Sequence, residues 1–427
     1  MNIKELHQLF LESSGVATDT RHIKPNQIFF ALKGDNFNGN EFAFQALKDG
    51  SVYAIIDEKK YSQNQQYLVV NNVLETLQEL ARFHRTYLGI PILAITGSNG
   101  KTTSKELIHA VLCKKFNTVA TLGNLNNHIG VPLTLLSMDK TTEFGIVEMG
   151  ANHPKEIENL CKIAQPDYGY ITNFGKAHLE GFGSPEGVIK AKSEMYTYLK
   201  KNNKFLFLNA DDPIQQKQFS YKNSFSFGNS PKADVEVEYI ENNKNAEMVH
   251  NGIVYNSVLA GNYNSINMAA SICIGLYFEV PEESIKTAIA NYTPQNNRSQ
   301  IIELGQTTLL MDAYNANPTS MRAALESFNK FPAANKVVIL GDMFELGEAS
   351  EQEHQDVVSY LENLDLSQVL LVGSNFKKAK TLSSKIQQFA NFSELEETLN
   401  KSDFRNTHIL IKGSRGMALE RLLDVFK

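Results

Sequence analysis

Short apolar runs, each followed by a turn and then by apolar residues at helical spacing, recur along this chain of 427 residues. The clearest is Ile92-Leu93-Ala94-Ile95, which runs through Thr96 into Gly97-Ser98-Asn99-Gly100 and then into a segment carrying Leu107, Ile108, Val111 and Leu112. Apolar residues three and four apart after a buried strand predict a helix lying on a sheet. Upstream, residues 27–32 and 52–56 read as strands and 42–48 as helix, a small α/β unit. A helix ending near Arg85 and the turn Gly89-Ile90-Pro91 close that unit, which spans 1–88. In a second unit, 89–293, strand-like runs at 144–149, 168–173 and 204–209 continue the rhythm, up to the Thr293-Pro294 turn. A third, 294–427, repeats it at 308–312, 337–340, 369–372 and 409–411. Strands alternating with helices require parallel sheets covered on both faces, so the fold class is α/β in three domains.

Composition narrows the partners. A formal net charge of −6 and a pI near 6.0, with no Lys/Arg run, leave no basic footprint for nucleic acid. Cys113, Cys161 and Cys273 are far apart and in no metal-binding spacing, which predicts packing roles in a reducing cytoplasm and no structural zinc. The N-terminus reads as an amphipathic helix start interrupted by charge, not a signal peptide. The longest apolar stretch, 271–280, is too short to span a bilayer. A soluble protein is expected.

The candidate chemistry begins in the turn after residue 96. Successive N–H groups of a tight turn, continued by a helix N-terminus, make an anion-binding concavity, and glycine lets the backbone approach phosphate oxygens. Lys101 then supplies a charge for the terminal phosphates, Thr102 a hard oxygen for a nucleotide-bound Mg²⁺, and Thr103 a further contact or cap. The loop is shorter than G-x-x-x-x-G-K-[ST], because Ile95 stands where its first glycine belongs. Ordinary turn chemistry also explains Gly-Ser-Asn-Gly, but not Lys-Thr-Thr at the helix start.

Other residues gain meaning beside that loop. Glu148 ends a buried strand, where a carboxylate is costly without a partner, so a metal ligand is the better reading than a helix cap, a task for which Asn152 and Pro154 already stand in place. His178 lies in a glycine-rich loop and by itself reads as a satisfied loop residue; Lys190 and Lys192 begin a helical segment and by themselves read as a solvated face. Asn264 and Asn267 share one face of a helix start, able to cap it or to meet an adenine edge. In the third unit Asn317 and Pro318 start a helix, leaving Asp312, Tyr314 and Asn315 free to face a ligand. Lys412-Gly413-Ser414-Arg415 adds cations suited to a carboxylate or phosphate. Asp312, Gly341-Asp342 and Lys412-Gly413, at the carboxyl ends of predicted strands, mark one ligand-bearing rim, while Gly373 reads as simple turn chemistry.

These motifs resemble those of the Mur ligases, the ATP-dependent amide-forming enzymes of peptidoglycan precursor synthesis. The resemblance covers all three units through Thr96-Gly97-Ser98-Asn99-Gly100-Lys101-Thr102-Thr103, residues 124–132, Glu148-Met149-Gly150-Ala151, residues 177–183, Tyr314-Asn315-Ala316-Asn317-Pro318, residues 341–347 and Lys412-Gly413-Ser414-Arg415. It implies a UDP-substrate-binding N-terminal domain, a central P-loop ATPase-like parallel sheet that binds ATP, and a C-terminal Rossmann-like domain adding dipeptide and nucleotide contacts. The last three motifs point within the family to ligation of D-alanyl-D-alanine to UDP-N-acetylmuramoyl-tripeptide. Carried over, Gly97 to Thr103 hold ATP, with Asn264 and Asn267 on adenine and Arg298 and Asp312 reaching the nucleotide. Thr102, Glu148, His178 and Lys192 hold Mg²⁺ at two sites, Lys192 as a CO₂-derived carbamate, and catalysis falls to Lys101, Glu148, His178 and Lys192. Thr20, Arg21, Asn126, Asn127, Tyr314, Asn315, Lys412, Ser414 and Arg415 contact the substrates. A cytoplasmic monomer is implied. Departures from the family pattern stand at Asn38-Gly39-Asn40, His128 and Met311. Rival functions are a sister ligase adding one amino acid, a folylpolyglutamate synthase-like enzyme and a non-catalytic nucleotide-gated binding module.

Overall fold

A computed structural model describes residues 2–241, 244–294, 297–400 and 404–427. The chain opens with the helix Ile3–Glu12, whose N-cap Asn2 and Glu5 form a reciprocal capping box. A four-stranded parallel sheet follows in simple chain order: Val16–Ala17, Ile28–Phe30, Tyr53–Ile56 and Tyr67–Val69. The helix Val73–Leu88 leads out of this unit and ends at Gly89, which takes a left-handed φ of 64°. That end lies nearly a turn beyond the one expected at Arg85, because Gly89 and not the arginine stops the helix. Arg85 instead donates through Nη2 to Asp167 Oδ2 at 2.6 Å and ties the helix to the second unit.

The second unit holds seven parallel strands in the order Val235–Glu236, Ser224–Gly228, Phe205–Asn209, Tyr168–Ile171, Ile92–Thr96, Phe144–Glu148, Thr118–Ala120. Ile92–Thr96 is an interior strand and wholly buried, so the turn after it opens on the sheet's carboxyl edge. The helices Lys101–Leu112 and Asn264–Tyr277 pack on one face, burying Leu107, Val111, Ile272 and Cys273. The second unit also carries a three-stranded antiparallel sheet, Glu238–Ile240, Asn245–His250 and Ile253–Ala260, which the sequence reading lacks. In Asn245–His250 inward and outward residues alternate, the pattern of a sheet with one wet face.

The third unit has six strands in the order Gln300–Leu304, Thr307–Asp312, His408–Lys412, Lys336–Gly341, Gln368–Val372, Ile386–Phe389. All pairs are parallel except the first, an antiparallel hairpin. The four expected strands are present, and the two edge strands are additions. Among the described residues no helix is long and apolar enough to cross a membrane.

Two expectations about side chains are corrected. Lys190 and Lys192 stand in the last turn of the helix Pro185–Lys192, and Lys192 is fully buried rather than on a solvated face. Cys161 and Cys273 are core residues, but Cys113 is exposed, with its thiol 3.4 Å from His109 Nε2.

Candidate active site

The turn between Ile92–Thr96 and Lys101–Leu112 is shaped by what it touches. Gly97 has φ 143°, and a β-carbon there would lie 2.0 Å from Thr172 Oγ1. Gly100 has φ 75°, and a β-carbon there would lie 2.6 Å from Asn267 Oδ1. Both positions therefore require glycine. The turn is pinned from the neighbouring strand end: the Ser98 N–H donates to Asn173 O at 3.0 Å, the Asn99 N–H to Asn173 Oδ1 at 3.1 Å, and Ser98 Oγ to Gly175 O at 2.7 Å. Lys101 folds back over it, donating to Gly97 O at 2.8 Å and Ser98 O at 3.3 Å. Burial pushes the Lys101 ammonium below its ordinary range against the opposing pull of Glu148.

Glu148 is 1% exposed, and each of its oxygens accepts one hydrogen bond. Oε2 accepts from Thr102 Oγ1 at 3.0 Å and Oε1 from Asn126 Nδ2 at 2.9 Å, and the Lys105 ammonium lies 3.8 Å away. A buried carboxylate with no more than these partners is suited to accept a cation. The expected Asn152 cap is not formed; the helix Glu156–Ala164 instead begins with the Glu156 carboxylate accepting the N–H groups of Asn152 and His153, which leaves Glu148 free of any capping task.

The two carboxamides of the helix Asn264–Tyr277 meet each other, Asn267 Nδ2 donating to Asn264 Oδ1 at 2.9 Å. Ser104 Oγ donates to Asn267 Oδ1 at 3.0 Å, so this pair also joins the phosphate-loop helix to its neighbour. Lys192 does not line the cleft. Its ammonium donates to Ala151 O at 3.1 Å and lies over the Phe182 ring at 5.3 Å. Burial first, and the Lys101 charge second, push it well below the usual lysine range.

The third unit brings its rim against this loop. Asn317 caps the helix Pro318–Lys330 as expected, and its Nδ2 also donates to Asn99 Oδ1 at 2.6 Å. Lys412 Nζ donates to Asp312 Oδ2 at 2.6 Å, and the Ser299 N–H to Asp312 Oδ1 at 3.2 Å. The Arg298 guanidinium stacks on the Tyr314 ring at 3.5 Å while its Nε is buried without a partner among the described residues. Lys176 pairs with Glu353 at 2.7 Å, and His178 Nδ1 lies in contact with the Glu345 carboxylate.

The result is one cleft of about 1100 Å³ between the second and third units, lined by Ser98 to Thr103, Asn126, Asn127, Glu148, His178, Asn264, Asn267, Arg298, Asp312, Tyr314, Asn315, Lys412 and Arg415. Ser414 is a correction: it is 2% exposed, its hydroxyl accepts the Phe344 N–H at 2.8 Å and donates to Ala316 O at 3.4 Å, and it shapes the wall instead of facing the space. Asp342 is a second, since it caps the helix Ser374–Lys378 by accepting from the Asn375 and Phe376 N–H groups, both at 2.9 Å. The turn reading of Gly373 fits, because a β-carbon there would sit 2.3 Å from Asp342 Cγ. Thr20 and Arg21 lie outside the cleft, in a turn of 3-10 helix where Arg21 pairs with Asp19. Missed by sequence reasoning are Asn173, Asn209, Asp211, Asp212 and Glu345, all lining the cleft. The first four follow strands already recognised, so the strand-end rule could have found them.

The Mur ligase family catalytic domain matches residues 12–87, the Mur ligase middle domain 95–275, and the Mur ligase glutamate ligase domain 297–415. A UDP-N-acetylmuramoyl-tripeptide–D-alanyl-D-alanine ligase of Bacillus subtilis (strain 168) is 31% identical, with 96% of this chain and 92% of the relative covered. Among solved structures, MurF from Acinetobacter baumannii superposes with a TM-score of 0.86 at 29% identity, covering 98% of this chain and 97% of that one. MurF ligase from Thermotoga maritima in complex with ADP gives 0.83 at 28%, with the same coverage. The chain belongs to the Mur ligase family.

Proposed function

We propose that this protein joins D-alanyl-D-alanine to UDP-N-acetylmuramoyl-tripeptide, converting ATP to ADP and phosphate. The observation that carries this reading is the meeting of the phosphate loop, the Glu148 carboxylate and the cationic rim of the third unit in one cleft. The full-length likeness to ligases of that activity supports it. The likeness to an ADP complex supports ATP as the nucleotide.

In this reading the turn Gly97 to Gly100 and Lys101 hold the ATP phosphates, with Asn264, Asn267, Arg298 and Asp312 on the nucleotide. The terminal carboxylate of the tripeptide attacks the γ-phosphorus, and the bond to the bridging oxygen breaks, giving an acyl phosphate and ADP. The dipeptide amine, having lost its ammonium proton, then attacks the acyl carbon; phosphate leaves, and a further proton departs as the amide forms. Because two anions meet in the first step, the work falls to charge neutralisation and positioning. Lys101, Lys412 and Arg415 supply the fixed cations. Asn126 and Asn127 beside Glu148, and Tyr314 and Asn315 on the opposite wall, contact the substrates, with Thr20 and Arg21 on the uridine diphosphate. Closure of the third unit shields the acyl phosphate from water.

The hard oxygens of Glu148 and Thr102 suit Mg²⁺, and the family resemblance adds the His178 imidazole to them. Among the described residues no three His, Cys, Asp or Glu side chains gather round one point, so most remaining ligands would come from phosphate and water, as this ion prefers. When bound, Mg²⁺ neutralises the charge that builds on the transferring phosphoryl group. Lys192 is poised for carbamylation in one respect: burial favours the neutral amine, the form that attacks CO₂. The reading also divides the chain at 88/89 and 293/294 and makes the protein a cytoplasmic monomer.

Phosphate release is the test. UDP-tripeptide and D-alanyl-D-alanine together should release phosphate from ATP, while single amino acids and folates should not; no dipeptide-dependent release would sink the proposal. Lys192→Ala should be inactive and partly restored by a small carboxylic acid, and full activity without it would refute the carbamate.

A further inference from the structure

The loop from Met343 to Gly347 reaches from the third unit onto the segment that bears His178. Its seat is built from several directions. The Met343 N–H donates to the buried His354 Nε2 at 3.0 Å, and Ser414 Oγ holds the Phe344 N–H at 2.8 Å. Glu345 has φ 60°, a left-handed conformation costly for a residue with a side chain, and its carbonyl accepts the Glu180 N–H at 3.2 Å. Its carboxylate lies against His178 Nδ1, a buried nitrogen with no other polar partner among the described residues. No other described side chain meets that nitrogen.

We infer that Glu345 is a positioning residue: docking of the third unit places its carboxylate on His178 Nδ1 and so readies Nε2 of the same ring for a cation in the cleft. The physical basis is general. A metal-binding imidazole must be neutral, and a carboxylate on one ring nitrogen keeps the proton there, orients the ring and raises the basicity of the other. Here the orienting group and the imidazole belong to different units, so the cation site is complete only when the units are docked. A strained backbone at Glu345, held by His354, Ser414 and Glu180, is the kind of arrangement that sets one side chain in one place. The inference rests on the proposed assignment of His178 as a cation ligand.

The test counts Mn²⁺ bound to the full-length protein with a non-hydrolysable ATP analogue, by electron paramagnetic resonance, for the unsubstituted protein, Glu345→Ala and Glu345→Gln. Two ions are expected in the unsubstituted protein. Glu345→Ala should weaken one of them by roughly 10- to 100-fold and leave the other unchanged. Glu345→Gln, which keeps an acceptor oxygen for the ring N–H, should fall between. Two ions held equally by all three proteins, or a single ion in the unsubstituted one, overturns the inference. Dipeptide-dependent phosphate release by the unsubstituted protein, measured in parallel, reports separately on the proposed function.

Discussion

Gly89 and Gly97 both have positive φ, at 64° and 143°, yet they answer to different forces. Among the described residues nothing lies within 4 Å of the place a β-carbon would take at Gly89, whereas at Gly97 it would meet Thr172 Oγ1 at 2.0 Å and Thr172 N at 3.0 Å. Gly89→Ala is therefore expected to cost about 1 kcal/mol of folding stability, the backbone term alone, with turnover unchanged. Gly97→Ala should abolish turnover, because the loop must move off the strand end that pins it. Urea unfolding and phosphate release on both variants check the contrast. At this scale the sequence was most legible where a motif carries its own local geometry: Lys101 and Thr102 start the helix after the turn, and Glu148 ends a buried strand. Ser414 shows the limit. A hydroxyl between two cations looks like a ligand contact until the fold turns it inward to Phe344 and Ala316.

Between elements, the helices Ile3–Glu12 and Val73–Leu88 are joined by a buried pair of histidines. His7 Nε2 lies 3.0 Å from His84 Nδ1, and His84 Nε2 lies 2.9 Å from Met138 O. The Met138 carbonyl only accepts, so His84 Nε2 carries the proton, His84 Nδ1 accepts, and His7 donates. A proton added to His84 Nδ1 breaks the pair. Burial, aided by His84, lowers His7 from 6.5 to about 4, and burial lowers His84 too. The folded state therefore binds fewer protons than the unfolded one, and the stability present above pH 6.5 is lost progressively as pH falls towards about 4. His7→Gln, which keeps a donor for His84, should lose less stability over that window than the unsubstituted protein. Paired melting curves from pH 7.5 down to about 4 check it, and parallel pH slopes would refute it. The periodic pattern revealed most helices and central strands, whereas their ends were less legible. Lys192 fell in a last turn instead of a first, since helical spacing says where a stripe lies and not where the backbone stops.

Across the whole molecule, Asn317 does two jobs with one carboxamide. Its oxygen caps the helix Pro318–Lys330, and its nitrogen donates to Asn99 in the phosphate loop. Asn317→Asp keeps the cap but sets an oxygen against the Asn99 oxygen. Unfolding stability should change by no more than about 0.5 kcal/mol, since aspartate caps as well as asparagine. Turnover should fall roughly tenfold, the worth of one lost hydrogen bond, with a larger radius of gyration by X-ray scattering. Unchanged turnover would remove this bridge from the account of closure. By itself the sequence determined the α/β alternation, the phosphate loop and most of the polar strand ends, because period and turn chemistry are local properties of the chain. Tertiary structure decided which strand ends share a cleft, that Lys192 is sealed behind it, that Ser414 and Asp342 serve the fold, and that Glu345 meets His178. Those pairings join residues far apart in sequence, and only the packing of one unit on another sets their distances.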